Sequence, residues 1–276
     1  MNGTVSQFNY GMVTPVVAFL TTCVGSALGL RCTVRSVRKG REGRRGAWLV
    51  LGAVCIGAGI WTMHFIAMIG FTIQGAEVGY DRSTTLLSLV VAVAVVSLGV
   101  SIVGYRGTSP FVLGAAGVIT GLGVAAMHYI GMSGMRFDGH MSFDAVTVGL
   151  SVLIAVVAST AALWAAVSLH TLASAAAASA IMGVAVTGMH YTGMAAMSVH
   201  VSKGAAVVDQ SSVELLGFLL PMIAGPVAVL ALAAVIVMFD PDMLLGDGPA
   251  AGADGAAEQP APSAAKQRHT GSWPAL

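Results

Sequence analysis

Seven long apolar stretches, separated by short polar segments, dominate the chain. They cover about residues 11–30, 48–71, 86–105, 110–133, 145–169, 173–197 and 213–239, and none has an Asp, Glu, Lys or Arg in its middle. A bilayer core of about 30 Å is crossed by about 20 residues of α-helix. Because lipid offers the backbone no hydrogen-bond partner, each stretch must be helical. The pattern therefore predicts an all-α membrane protein with seven transmembrane helices.

The composition supports a surface that faces lipid. Of the 276 residues, 56% are hydrophobic and only 9% are charged, whereas soluble domains carry about 25% charged residues. The first ten residues contain no Lys or Arg, so we expect no cleaved signal peptide and a retained first helix. The three cysteines, Cys23, Cys32 and Cys55, form no CxxC pair. We expect them to pack as small apolar side chains, with a thiolate role as the alternative.

The basic residues predict an orientation. Ten of the 13 Lys and Arg side chains lie in the first loop, the third loop and the C-terminal segment, and the opposite loops contain only Arg82, Arg136 and Lys203. Since basic loops remain in the cytoplasm, the N-terminus is predicted to lie outside and the C-terminus inside.

The last segment differs from the rest of the chain. Residues 246–276 are rich in Ala, Gly and Pro and have no apolar period, so they are predicted to form a disordered cytoplasmic tail, too short for a catalytic output domain. The membrane domain is predicted to span residues 8–240.

An internal repeat carries the candidate chemistry. Three segments beginning at Gly57, Gly121 and Gly183 align without gaps, and each contains Met-His followed by an aromatic residue. The histidines are His64, His128 and His190, 64 and then 62 residues apart. This period of two helices predicts one extra helix plus three repeated helix pairs. Each histidine lies 16 or 17 residues from the start of its stretch, about 24–26 Å along the helix, so all three should lie at one level near the outer face.

A buried imidazole within a membrane span is by default a candidate functional residue. A methionine follows each histidine by four residues, which places it on the same helix face one turn further on. Imidazole and thioether ligands together favour copper, whereas hard cations would need carboxylates and structural zinc usually has cysteine ligands. The predicted metal ligands are His64, His128, His190, Met68, Met132 and Met194. Possible secondary ligands are Met63, Met127 and Met189, which precede the histidines, and Met135 and Met197, which follow by seven residues.

Other interpretations of these residues remain open. The methionines can be packing residues, and the histidines can hydrogen-bond between helices. Tyr129 and Tyr191 are expected to pack at the membrane interface, with a hydrogen bond to a ligand as the alternative.

An aspartate precedes each helix that follows a repeat, and the glycines of the pattern are expected to let helices approach closely. Asp81, Asp144 and Asp209 are predicted helix N-caps, with the orientation of a ligand histidine as the alternative. His140 and His200 in the outer loops are expected to be solvated, although they can also capture metal.

These motifs resemble the MHYT domain of bacterial integral membrane proteins. Residues 189–194 match its motif fully, residues 127–132 lack only the Thr, and residues 63–68 keep the His and both Met. The resemblance covers about residues 8–240. It implies a multi-pass sensor of the bacterial plasma membrane that binds copper and detects a diatomic gas (O2, CO or NO). Relatives often carry diguanylate cyclase or phosphodiesterase domains, so the short tail predicts output through a separate cytoplasmic partner.

Two alternatives compete with a copper sensor. One is a haem-binding redox membrane subunit, since two histidines at equal depth can ligate haem. The other is a copper-handling or transport protein. Enzyme activity and nucleic-acid binding are not expected, because the chain shows neither a nucleophile–base pair nor a phosphate-binding loop.

Overall fold

Seven long helices build the part of the chain that the computed structural model describes, which is residues 5–37, 45–74, 76–168, 172–202 and 212–239. All seven are long and apolar enough to cross a membrane, which confirms the predicted all-α membrane fold. The helices are α1 (Val13–Val37), α2 (Arg45–Ile69), α3 (Arg82–Arg106), α4 (Pro110–Ser133), α5 (Ala145–Ser168), α6 (Leu172–Ala195) and α7 (Ser212–Met238). The predicted tail, Asp209 and most of the basic first loop lie outside the described residues. The orientation across the membrane stays a prediction.

Short antiparallel strands, which the sequence did not predict, connect the helices at one end of the bundle. The strands are β1 (Val5–Ser6), β2 (Thr72–Ile73), β3 (Gly79–Tyr80), β4 (Met135–Arg136), β5 (Gly139–Phe143) and β6 (Met197–Val201). They pair as β1–β2, β3–β4 and β5–β6. We call this the motif end, because α2, α4 and α6 finish there just after their histidines.

The pairing groups the chain into three strand–helix–helix–strand units, β1–α1–α2–β2, β3–α3–α4–β4 and β5–α5–α6–β6, and α7 is the additional helix. One backbone hydrogen bond recurs in each unit. Asn9 N–H donates to Gly70 O over 3.0 Å, Asp81 to Gly134 over 2.8 Å and Asp144 to Ala196 over 2.8 Å. Three helix pairs plus one helix are therefore confirmed. The structural unit begins before α1, however, so Asn9 takes the place that the sequence analysis gave to Asp209.

The helices α1 to α6 form a closed ring, because each packs on the next and α6 packs on α1. Glycines bring α1 and α2 into backbone contact: a Cβ added to Gly59 would lie 2.9 Å from the Gly25 Cα. Within the described residues α7 packs on α2 and α1, which makes α2 the most enclosed of the seven. Large apolar side chains such as Leu86 and Val157 remain exposed on the outside of the ring, as a lipid-facing surface requires.

Candidate metal centre

The three repeated histidines meet at the centre of the ring near the motif end. Each is 1% exposed or less. The His64 Nδ1 lies 3.0 Å from the His190 Nδ1 and 3.2 Å from the His128 Nδ1, and the His128 and His190 Nδ1 atoms are 3.4 Å apart. The equal depth predicted from residue spacing thus corresponds to direct contact. We call these residues the histidine triad.

The three imidazole planes are nearly perpendicular to one another, at 79°, 83° and 90°. A neutral ring nitrogen offers either one hydrogen or one lone pair in the ring plane. Three such atoms in mutual contact can make at most one good hydrogen bond among themselves, and the third nitrogen is then left without a partner. A cation at the centre can instead accept all three lone pairs.

The size of the triangle suits a metal ion. With sides of 3.0, 3.2 and 3.4 Å, the point equidistant from the three nitrogens lies about 1.9 Å from each, close to the roughly 2.0–2.1 Å of zinc–imidazole bonds. An ion slightly above the plane would reach that distance. Within the described residues, the triad is the only group of three or more His, Cys, Asp or Glu side chains arranged to hold a metal.

The outer edges of two imidazoles lie against glycine backbone of the next unit. A Cβ at Gly131 would be 2.7 Å from His64 Nε2, and one at Gly193 would be 2.5 Å from His128 Nε2. Both Nε2 atoms are buried without a hydrogen-bond partner in the described structure. These glycines therefore make room for the imidazole rings, a role that the sequence analysis did not assign to them.

The methionines divide into two groups. Those four residues after each histidine lie together in one buried cluster at the motif end, which we call the methionine cap. Its buried residues are Met68, Met132, Met135, Met194, Met197, Phe71, Ile73 and Val199. Met63, Met127 and Met189, which precede the histidines, belong to the main core instead. The side chains that follow the histidines thus collect on one side of the triad, and their role as ligands stays a prediction.

Met135 and Met197 reach the methionine cap in a different way from the one predicted. The sequence analysis placed them on continuing helices, but α4 ends at Ser133 and α6 ends at Ala195. They are the first residues of β4 and β6. Strand pairing, rather than helix periodicity, turns them back over the triad.

The aromatic residue after each histidine packs edge-on against its ring. The centroid distances are 4.7 Å for His64–Phe65, 4.9 Å for His128–Tyr129 and 5.0 Å for His190–Tyr191. The Tyr129 hydroxyl is 2.7 Å from Ser151 Oγ, whereas the Tyr191 hydroxyl is buried without a partner in the described structure. The Tyr129 hydroxyl thus fastens α4 to α5.

In the first unit a different side chain makes the equivalent connection. Phe65 has no hydroxyl, and Trp61, one turn earlier, donates its indole N–H to Ser88 Oγ over 2.9 Å. Ser88 follows Asp81 by seven residues, as Ser151 follows Asp144. The connection between neighbouring helices is therefore kept while its donor changes.

The described aspartates are helix N-caps, as predicted. The Asp81 carboxylate accepts hydrogen bonds from Thr84 N–H (2.9 Å) and Thr84 Oγ1 (2.8 Å) and lies 3.6 Å from the Arg136 guanidinium. Asp144 accepts from Thr147 N–H (2.9 Å) and Oγ1 (2.7 Å). These bonds lower the pKa of both carboxyls. The carboxylates are thus engaged at the starts of α3 and α5, which gives no support to a role in orienting the histidines.

The sequence analysis missed an aromatic residue immediately before each N-terminal cap position. These residues are Phe8, Tyr80 and Phe143, and they contact Tyr191, Phe65 and Tyr129 with centroid distances of 5.5, 6.0 and 5.8 Å. The Tyr80 hydroxyl is buried without a partner in the described structure, and this burial raises the pKa of Tyr80. The recurring aromatic–Asp/Asn dipeptide was the available sequence signal.

A family model for the MHYT repeat, described as a bacterial signalling protein N-terminal repeat, matches residues 57–116 and 121–179. These ranges contain His64 and His128. The third motif lies beyond them, although its histidine occupies the equivalent place in the triad.

Several curated bacterial proteins are similar to this chain. It is 38% identical to the bifunctional diguanylate cyclase/cyclic di-GMP phosphodiesterase MucR of Pseudomonas aeruginosa, over 70% of this chain and 28% of the relative. It is 36% identical to the cyclic di-GMP phosphodiesterase NbdA of the same organism, over 77% and 28%. It is 37% identical to a signalling protein of Caulobacter vibrioides, over 60% and 20%. The matches thus span about a quarter of these relatives' length. No solved structure matches the chain.

Proposed function

This chain belongs to the MHYT family of bacterial signalling proteins, and from that premise we propose that it is a membrane sensor whose detector is a copper ion held by the histidine triad. The observation that carries the proposal is the contact of three buried Nδ1 atoms, each 3.0–3.4 Å from the other two. The signal would be copper itself or a diatomic gas (O2, CO or NO). The cyclic di-GMP enzymes among the relatives support a role in signalling.

The donor set favours copper over harder ions. Three imidazoles supply the nitrogen ligands, and Met68, Met132 and Met194 place thioethers in the adjoining methionine cap. Imidazole and thioether together suit copper, especially its reduced form. The carboxylates of Asp81 and Asp144, which a hard cation would need, are bound to their own helices. When bound, copper would supply an open coordination position and a one-electron couple at the centre of the bundle.

The protein would hold, enclose and report on that position. The glycines at 131 and 193 seat the His64 and His128 rings, and the methionine cap excludes water from above. Each histidine lies on a different helix, so a change in the spacing of the three nitrogens displaces α2, α4 and α6 relative to one another. These helices run to the opposite end, where Arg45 donates a hydrogen bond to Gly104 O and lies over the Tyr105 ring. A signalling partner at that end would read the displacement.

The proposal is tested by elemental analysis of the detergent-purified protein. We expect stoichiometric copper in the wild type and its loss in the triple variant His64→Ala/His128→Ala/His190→Ala. The matched control is His140→Ala/His200→Ala, which removes two stacked histidines from the β5–β6 strands. If the triple variant does not fold, the single variant His128→Ala should still bind copper more weakly. Equal copper in the wild type and a folded triple variant would overturn the proposal.

The geometry disfavours haem. Two axial imidazole nitrogens lie on opposite sides of the iron, about 4 Å apart for two metal–nitrogen bonds of roughly 2 Å, with the macrocycle between them. In the triad three nitrogens converge within 3.0–3.4 Å, which leaves no gap for a porphyrin. We therefore expect no Soret band, and a strong one in the purified protein would favour the haem alternative.

A further inference from the structure

An apolar cavity lies inside the ring of helices below the histidine triad. Its volume is about 30 Å³, and residues from all of α1 to α6 line it. The lining includes Ile60, Val96, Thr120, Ala158, Met182 and Val186. A void shared by six helices on the axis of the ring differs from the small gaps between a single pair of helices.

The cavity lies close to the triad. Ile60 and Val186 precede His64 and His190 by four residues, which is one helical turn, or about 6 Å. Ile56 and Met182, also in the lining, precede the same histidines by eight. The upper part of the cavity is therefore separated from the imidazoles by one layer of side chains.

The chemistry of the lining does not suit water. A buried water needs two to four polar partners, whereas apolar cavities stay dry and take apolar guests such as xenon. The Thr33 hydroxyl already donates to Gly29 O over 2.9 Å. The Thr120 hydroxyl is buried without a partner in the described structure, so it offers one polar contact. The volume of about 30 Å³ has room for about two water-sized spheres.

We propose that this cavity binds one small, uncharged, apolar molecule of two or three heavy atoms. Such a molecule dissolves in the lipid that surrounds the ring, so it can reach the cavity without crossing a polar surface. Binding in the cavity follows from its lining alone. That the bound molecule then serves as the ligand of the triad's ion rests on the function proposed above.

Xenon tests the cavity directly. In protein labelled with ¹³C at the methionine methyl groups, we expect xenon pressure to shift the Met182 signal along a saturable curve. Xenon dissolved in lipid or detergent should shift the exposed Met12 and Met238 signals only in proportion to pressure. Met63, which is fully buried but outside the cavity lining, should not respond. A Met182 response that is absent, or proportional to pressure, would overturn the proposal.

A variant that fills the cavity provides the second arm. Ala158→Leu places a larger side chain into the cavity and should abolish the saturable Met182 response. Ala161→Leu makes the same change at an exposed position of α5 and should leave it intact. If Ala158→Leu does not fold, Ala158→Val should still weaken xenon binding severalfold. Equal xenon binding by wild type and a folded cavity-filling variant would contradict the assignment.

The two proposals fail separately. The xenon measurements are made on chelator-treated protein as well as on protein loaded with copper, and we expect the same saturable response in both. A protein that binds xenon but no copper would overturn the proposed function and leave the cavity site standing. A protein that binds copper at the triad but no xenon would overturn only the cavity site.

Discussion

The Phe8 ring, ahead of the first helix, stacks on the Tyr191 ring near the end of the sixth, with centroids 5.5 Å apart and planes 23° apart. Tyr80 contacts Phe65, and Phe143 contacts Tyr129, in the corresponding positions. Each unit thus places an aromatic ring against the motif of the preceding unit, and the first unit places its ring against the third. The ring of helices is closed by the same kind of contact that joins its neighbours.

Gly131→Ala should weaken metal binding at the triad. The new Cβ would lie 2.7 Å from His64 Nε2, so the imidazole must shift from the position in which its Nδ1 meets the other two. Disturbing the support of a metal ligand typically costs about 10–100-fold in affinity, and we expect a loss in that range by competition with a copper chelator. Gly114→Ala is the control, because it lies in the same helix with nothing within 4 Å of the added atom. Unchanged affinity in Gly131→Ala would show that the ring position does not matter.

The two groups of methionines should differ in their effect on reduced copper. Met→Leu nearly conserves volume and costs less than about 1.5 kcal/mol in packing, so its main effect is removal of the thioether. In the triple variant Met68→Leu/Met132→Leu/Met194→Leu we expect Cu(I) affinity to fall by about tenfold or more, about 1.4 kcal/mol. Met63→Leu/Met127→Leu/Met189→Leu, in the main core, should retain it. If the two triple variants bind Cu(I) equally well, the methionine cap supplies packing and no ligand.

Tyr129→Phe should affect stability rather than metal binding. The substitution removes the 2.7 Å hydrogen bond to Ser151, which contributes about 1 kcal/mol in a typical protein. We expect a lower thermal midpoint in detergent and unchanged copper stoichiometry. The double variant with Ser151→Ala should be little less stable than Tyr129→Phe alone, since both changes remove the same bond. A loss of copper in Tyr129→Phe would instead assign the hydroxyl to the metal site.

The stabilising effect of the Asp144 cap should depend on pH. Hydrogen bonds from Thr147 hold the pKa of the Asp144 carboxyl below its usual 3.8. A lowered pKa in the folded state means that the ionised carboxylate stabilises the fold above pH 3.8, and that this stabilisation is lost as the pH falls through the lower folded-state value. The thermal midpoints of wild type and Asp144→Ala should therefore differ most near neutral pH and converge below pH 3.8. A constant difference down to pH 3 would contradict an ionic cap.

The sequence was sufficient to predict the helices and the level of the histidines, because both depend on regular quantities. The thickness of the bilayer sets the length of an apolar stretch, and a fixed rise per residue converts 16 or 17 residues into a depth. The convergence of His64, His128 and His190 follows from that depth together with the repeat.

Other features depended on contacts between distant segments. Strands of two residues, such as Val5–Ser6, are too short to show an alternating pattern, so the place of Asn9 in the repeat was hidden. Helix α7 packs on α1 and α2, far away in the chain, and no local pattern indicates such a neighbour. The seating of His64 on Gly131 likewise joins residues of two units.

The triad draws one donor from each of the three units, in helices whose histidines are 64 and 62 residues apart. A chain that has inserted only its first two units possesses two imidazoles and no closed triangle. The third nitrogen arrives only when α6 has docked against α1, the same event that brings Tyr191 to Phe8. Ion binding at this centre would accordingly favour the finished bundle over every partly assembled one, so the detector would also serve as the last fastening of the membrane domain.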